Sequence, residues 1–133
     1  MGEGEISGQH DATVLANGNI LIFDNGLDRR ASRIVELDPL RKEIVWEYQA
    51  AEPQDFFSLR KASSQRLANG NTLIANSDSG DAFEVTPAGE RVWHYVNPRA
   101  DAHGNRATIV RIKRYPTVLI DPLLELDGTR TSN

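Results

Sequence analysis

Short apolar runs separated by turn residues, with no convincing apolar period of 3.6, set the pattern of the chain. Leu15-Ala16-Asn17-Gly18-Asn19 recurs as Leu67-Ala68-Asn69-Gly70-Asn71, and each copy is followed by an apolar run and later by a Val-Trp-x-Tyr quartet. Asn-Gly between two β-prone runs predicts a tight hairpin, because a type I′ turn needs positive φ at both central residues. The first copy predicts strands at Asp11 to Leu15, Ile20 to Asp24, Arg33 to Leu37 and Ile44 to Tyr48, with turns at Asn25-Gly26 and Asp38-Pro39. The second predicts Ser63 to Leu67, Thr72 to Asn76, Ala82 to Thr86 and Arg91 to Tyr95, parted by Ser77 to Gly80 and by Pro87-Ala88-Gly89. Helices are expected only at Gln54 to Lys61 and in the tail.

Two consecutive four-stranded antiparallel meanders of similar sequence predict an all-β chain forming an incomplete β-propeller. Residues 8–53 read as a first blade, 54–98 as a second, and 99–133 as a partial third blade with a closing segment. A two-sheet sandwich is the rival arrangement. Trp46 and Trp93, in matching places on the fourth strands, favour blades, since each ring can fill the space between adjacent sheets. Ala107 to Arg114 alternates like the first strand of a third blade, and the stretch from Thr117 to Asn133, broken by Pro122, reads as a closing strand, a docking segment or a short helix. A closed propeller takes about 4–8 blades. The remaining blades are therefore expected from a longer polypeptide or from self-association, three copies being the simplest ring.

Composition narrows function by exclusion. The chain of 133 residues is 39% hydrophobic and 26% charged, which fits a globular domain rather than a disordered one. No apolar run approaches the roughly 20 residues of a membrane span, and the opening Met1-Gly2-Glu3-Gly4-Glu5 lacks the features of a signal peptide. No membrane association is expected. The absence of cysteine removes disulfides, thiolate metal sites and cysteine nucleophiles. A net charge of −4 gives no reason to expect nucleic acid, and the one basic cluster, Arg111, Lys113 and Arg114, reads as the solvated face of a strand. Asp24, Asp28, Asp78 and Asp81 could meet a calcium ion, yet no twelve-residue calcium loop is present and acidic turn residues ordinarily serve the turn itself; no metal is expected. The Ala-x-Asp-x-x-Thr-Gly repeat of quinoprotein propellers and the Trp-Asp dipeptide of another propeller class are both missing.

Of three histidines, His10 stands just before the innermost strand of the first blade. Aligning the two Leu-Ala-Asn-Gly-Asn motifs places Ala62 opposite His10 and Ser63 opposite Asp11, so the blade does not require histidine there. His94 reads as a surface residue of a fourth strand. Gly8-Gln9-His10-Asp11, Leu21-Ile22-Phe23-Asp24-Asn25-Gly26, Ser32-Arg33 and Val45-Trp46-Glu47-Tyr48 together resemble the segment of bacterial arylsulfotransferases that carries their nucleophilic histidine, and the likeness continues through Asp55-Phe56-Phe57-Ser58 and Arg106 to Arg111. The resemblance implies the C-terminal part of a six-bladed propeller that moves a sulfuryl group from an aryl sulfate to an acceptor phenol through a sulfohistidine, without a cofactor. On that resemblance His10 is the nucleophile, and Arg66, His103 and Arg106 are substrate-binding candidates for the sulfate oxygens. His103 departs from the hydroxyl residue expected there. The family's other active-site residues lie in blades upstream of the one carrying its nucleophile, and each missing oxyanion donor can cost roughly 10²–10³ in rate. The chain alone is therefore expected to be a weak transferase or inactive, with a non-catalytic binding or assembly module as the alternative. The family is usually exported, which leaves the compartment open.

Overall fold

The computed structural model describes residues 5–126. Eight strands form two four-stranded antiparallel sheets, each a simple meander: β1 (His10–Val14), β2 (Ile20–Asp24), β3 (Arg33–Asp38) and β4 (Glu43–Tyr48), then β5 (Ser63–Arg66), β6 (Thr72–Asn76), β7 (Asp81–Val85) and β8 (Arg91–Val96). Both motifs close a hairpin, but not through the expected type I′ turn: only Gly18 and Gly70 take positive φ, +86° and +89°, while Asn17 and Asn69 do not, and each glycine N–H donates back to the leucine carbonyl that opens its motif. Leu15 and Leu67 each donate a backbone N–H to the fifth residue of their motif, Asn19 and Asn71. The linking stretch carries one 3₁₀ turn, Pro53–Asp55, and the tail carries α1 (Thr117–Leu126), so the tail's expected alternatives resolve to a short helix as far as residue 126. Residues 127–133 of the expected closing segment lie outside the described residues.

The core sits between the two sheets. Phe23, Tyr48, Phe56 and Phe83 form a ring cluster with centroids 5.4–5.8 Å apart, and Phe56, on the linking stretch, touches the other three. Leu21, Ile34, Ile74 and Val85 complete the cluster. Arg91 caps it from the second sheet, its guanidinium 3.9 Å from the Phe83 ring centroid and its Nε donating to the Tyr48 hydroxyl at 3.0 Å. As a result Tyr48 is only 6% exposed while Tyr95, its counterpart on β8, is 42% exposed.

A second set of contacts repeats from sheet to sheet. Glu36 on β3 accepts hydrogen bonds from Asn17, Asn19 and Arg66, and the Arg66 guanidinium lies 4.9 Å over Trp46. Glu84 on β7 likewise accepts from Asn71 and Arg114, and Arg114 lies 5.1 Å over Trp93. Trp46 donates its indole N–H to the Pro87 carbonyl and does fill space between the sheets, whereas Trp93 stacks on Tyr95 in the open.

The strand expected over Ala107 to Arg114 does not form. This stretch runs alongside β5 in the same direction, but it is held there by side chains: Ile112 N–H donates to Ser63 Oγ, Lys113 Nζ to the Ser64 carbonyl, and Arg114 exchanges two hydrogen bonds with the Gln65 amide. A ladder needs a second strand folded back on the first, and here Pro116 and α1 follow where the earlier copies have their Asn-Gly hairpin. The repeated carboxylate–arginine–tryptophan contact nevertheless puts Arg114 where Arg66 stands one sheet earlier.

Candidate active site

His10 opens β1, and the local ladder is irregular there. His10 pairs with Phe23 and Thr13 with Leu21, so β1 spends one residue more than β2 between those pairs. The extra residue is taken up by Asp11, whose φ of +49° is a left-handed value that aspartate tolerates better than most residues. β5 runs without such a break, Ser63 to Arg66 pairing evenly with Ala75 to Thr72. The bulge corrects the motif alignment. By ladder register His10, paired with Phe23, takes the place of Ser63, paired with Ala75, whereas the alignment set Ala62 there. By the bond to the following segment, Asp11 takes the place of Ser63: Asp11 Oδ2 accepts from Ser64 N–H at 2.8 Å as Ser63 Oγ accepts from Ile112 N–H at 3.2 Å. The inserted residue lets Asp11 keep the structural bond while His10 stands beside it.

The imidazole is solvent-exposed but tethered. Its Nδ1 lies 2.7 Å from Asn25 Oδ1 and 3.0 Å from the Gly8 carbonyl oxygen. Asn25 is fully buried at the end of β2, with its Nδ2 donating to the Ser58 carbonyl at 2.6 Å and its own carbonyl accepting from Ser32 Oγ. The next residue, Gly26, has φ +65°, and a Cβ there would fall 1.9 Å from the Ala31 carbonyl oxygen, so the turn that holds Asn25 needs glycine. Preceding it, Asp24 is buried under Ser7 N–H, Gly26 N–H, Arg29 and Arg33. Burial pushes the Asp24 carboxyl up, but the Ser7 N–H and the Arg33 and Arg29 guanidiniums outweigh it and hold the carboxyl below its ordinary range.

Two cations converge on Asp11. Lys113 Nζ lies 3.9 Å from Asp11 Oδ2, and Arg111 Nη2 lies 3.6 Å from Oδ1. The basic cluster read as a solvated strand face is therefore split by the fold, with Arg114 on Glu84 and the other two beside the neighbour of His10. The predicted sulfate-binding residues fall in two places. Arg66 is at the far end of β5 from Ser63, committed to Glu36 and the Trp46 ring. His103 and Arg106 belong to a small hairpin after β8, where Asp101 accepts from the N–H groups of His103 and Asn105 and where Arg106 Nη1 donates to the Ser79 carbonyl. That hairpin is at the same end of the sheets as His10. His94 on β8 pairs with Asp81 on the adjacent β7 at 2.8 Å. The four aspartates weighed for calcium all have protein partners: Asp24 the guanidiniums of Arg29 and Arg33, Asp81 the His94 ring, Asp28 the Arg29 N–H, and Asp78 the Leu59 and Arg60 N–H groups. Sequence reading missed Asn25, taking it for a turn residue; its signal was an amide placed between two chain-reversing neighbours at the end of the most apolar strand.

Two repeated antiparallel four-stranded meanders, joined through an aromatic core and carrying a histidine on the bulged first strand, define an all-β repeat protein. The model of the family described as arylsulfotransferase (ASST) matches residues 2–98, and the chain belongs to that family. No curated protein matches it. Among solved structures it is similar to a protein of unknown function from Bacteroides caccae, at 18% identity and a TM-score of 0.48, over 74% of this chain and 37% of that one.

Proposed function

We propose that His10 is the nucleophile of sulfuryl transfer between phenols and that the two sheets are adjacent blades of a propeller completed by further blades. The observation that carries this reading is the state of the imidazole. Both neighbours of Nδ1 are oxygen acceptors, so Nδ1 carries a hydrogen and, in the neutral ring, Nε2 holds the lone pair. Among the described residues no hydrogen bond to Nε2 is present. An imidazole tethered at Nδ1, with Nε2 unengaged on an exposed bulge, presents in its neutral form the lone pair a nucleophile needs.

In the first step Nε2 attacks sulfur of an aryl sulfate; the N–S bond forms as the S–O bond to the ring breaks, and the electron pair leaves on the phenolate. In the second the acceptor phenol, losing its proton to solvent, attacks sulfur, and the N–S pair returns to Nε2. Fixed cations are needed where the sulfuryl oxygens lie. Arg111 and Lys113, and from the neighbouring hairpin His103 and Arg106, are the groups this chain offers at the His10 end, with Arg66 further off. The remaining donors come from blades supplied by a longer polypeptide or by other copies, so this chain by itself transfers weakly.

The test is intact-mass detection of one added SO₃ after incubation with 4-nitrophenyl sulfate, alongside solution mass by light scattering. A sulfo group on the wild type that is missing from His10→Gln supports the reading. Labelling that persists in His10→Gln, or none at any oligomeric state, overturns it.

A further inference from the structure

Comparison of the two sheets isolates a second residue that changes together with His10. Where the first sheet has His10 opposite Phe23 and Asn25 just beyond β2, the second has Ser63 opposite Ala75 and Ser77 just beyond β6. Asn25 and Ser77 are both fully buried, so the meander tolerates either. Ser77 Oγ turns to the Val110 carbonyl, not to the first strand of its own sheet. The amide is therefore present only where there is an imidazole to meet.

The geometry points to Asn25 as the positioning residue of His10, a buried amide that fixes the imidazole as its Nδ1–H tautomer and aims Nε2 outward. Its own orientation is over-determined. Nδ2 must face the Ser58 carbonyl, 2.6 Å away, because a reversed amide would set two oxygens against each other; Oδ1 is thereby turned to His10. Ser32 holds both sides of this web, donating from Oγ to the Asn25 carbonyl and accepting from Ser58 N–H. The second acceptor, the Gly8 carbonyl, belongs to the strand's lead-in, whose Ser7 is tied to Asp24 and Gly26.

This role rests on the transfer reading above, and it adds a reason for an amide over a carboxylate. When Nε2 bonds to sulfur, the ring carries positive charge shared with Nδ1–H. Asn25 Oδ1 and the Gly8 carbonyl accept from that N–H as the charge develops, and the charge returns to zero when the acceptor phenol takes the sulfuryl group. An amide oxygen does this without placing a second anion against the incoming sulfate.

The experiment is long-range ¹H–¹⁵N NMR of ring-labelled histidine at neutral pH, with His10 assigned through His10→Gln. The wild type is expected to show a protonated Nδ1 and a bare Nε2. In Asn25→Ser, which copies Ser77 of the second sheet, the single tautomer is expected to give way to a mixture, while the His94 signals, held by Asp81 in the other sheet, stay in place and report the fold. A wild-type His10 carrying its hydrogen on Nε2 overturns the proposal, whether or not any variant folds. So does a folded Asn25→Ser whose His10 tautomer is unchanged. Because the spectrum needs no turnover, a protein that never takes up a sulfo group refutes the transfer reading, while the tautomer change still supports the hold of Asn25 on the ring.

Discussion

The first and second sheets share strand order, hairpin chemistry and the carboxylate–arginine–tryptophan contact, and they part company at the first strand of each sheet. β5 is regular and begins in small buried serines; β1 is bulged and presents an imidazole. The difference costs structure, because Asp11 occupies a left-handed φ that an unbulged strand would not require. The second sheet is built without this feature, so the meander itself does not require it. This contrast separates what the repeat needs from what the site needs.

The largest effect to look for is on chemistry with almost none on stability. His10→Gln is expected to abolish sulfo-labelling while shifting unfolding by no more than about 0.5 kcal/mol, since the ring is exposed and touches only acceptors. Ser63→His is expected to create no second labelled site, because β5 lacks both the bulge and the amide. Mass spectrometry after aryl sulfate treatment and urea denaturation check the two halves, and labelling at residue 63 would break the contrast.

Next in size is the piece that joins the sheets. Phe56 touches three rings from both sheets, so Phe56→Ala is expected to cost about 3–5 kcal/mol and to lower protection from hydrogen exchange in β2 and β7 together. If only one sheet lost protection, the two would be independent units.

The repeat and its Asn-Gly hairpins made all eight strands legible, because turn chemistry and alternation are local. The bulge was not. An aligned motif counts residues along one strand, whereas a bulge is a mismatch in count against the partner, and the only trace in sequence is an aspartate able to sit at positive φ. The fate of the basic cluster was hidden for a similar reason: Arg114, Lys113 and Arg111 look alike in sequence, and only the neighbouring sheet decides that one meets Glu84 and two meet Asp11. The tail was open in sequence because an apolar run broken by proline fits several elements.

The two copies of the repeated lock differ in shelter, and that ranks the next effects. Arg66 is 23% exposed beside Glu36, and Arg114 is 41% exposed beside Glu84. Glu36→Ala is expected to cost about 1–3 kcal/mol by stranding Arg66 and two asparagine amides, while Glu84→Ala, at a carboxylate equally buried but paired with an Arg114 that reaches solvent, costs under about 1 kcal/mol. Acid extends the comparison. Burial raises the Glu36 carboxyl, but Asn19, Asn17 and Arg66 bring it below its ordinary value; at Glu84 the Asn71 amide leads in lowering it, against burial, with Arg114 helping. With Asp24 also lowered, these groups stabilise the fold fully above the ordinary carboxylate range, and their contribution is lost as pH falls through their lowered folded values. The first sheet holds two of the three, so hydrogen exchange between pH 6 and pH 3 is expected to loosen β2 and β3 before β7.

The smallest change probes the bulge itself. Asn at position 11 tolerates positive φ and offers Ser64 N–H the same oxygen, so Asp11→Asn keeps the backbone and the 2.8 Å bond. What it removes is the carboxylate charge 3.6–3.9 Å from Arg111 and Lys113. Both pairs are long and Arg111 is largely exposed, so the stability loss is expected to stay within about 0.2–1 kcal/mol. Releasing two cations next to His10 has the opposite sign for an anionic substrate: the apparent KM for an aryl sulfate is expected to fall, with the gain shrinking as salt rises. A KM that rises instead would mean that Asp11 holds those cations where the sulfuryl oxygens need them, making the bulge part of the binding site as well as the mount for His10.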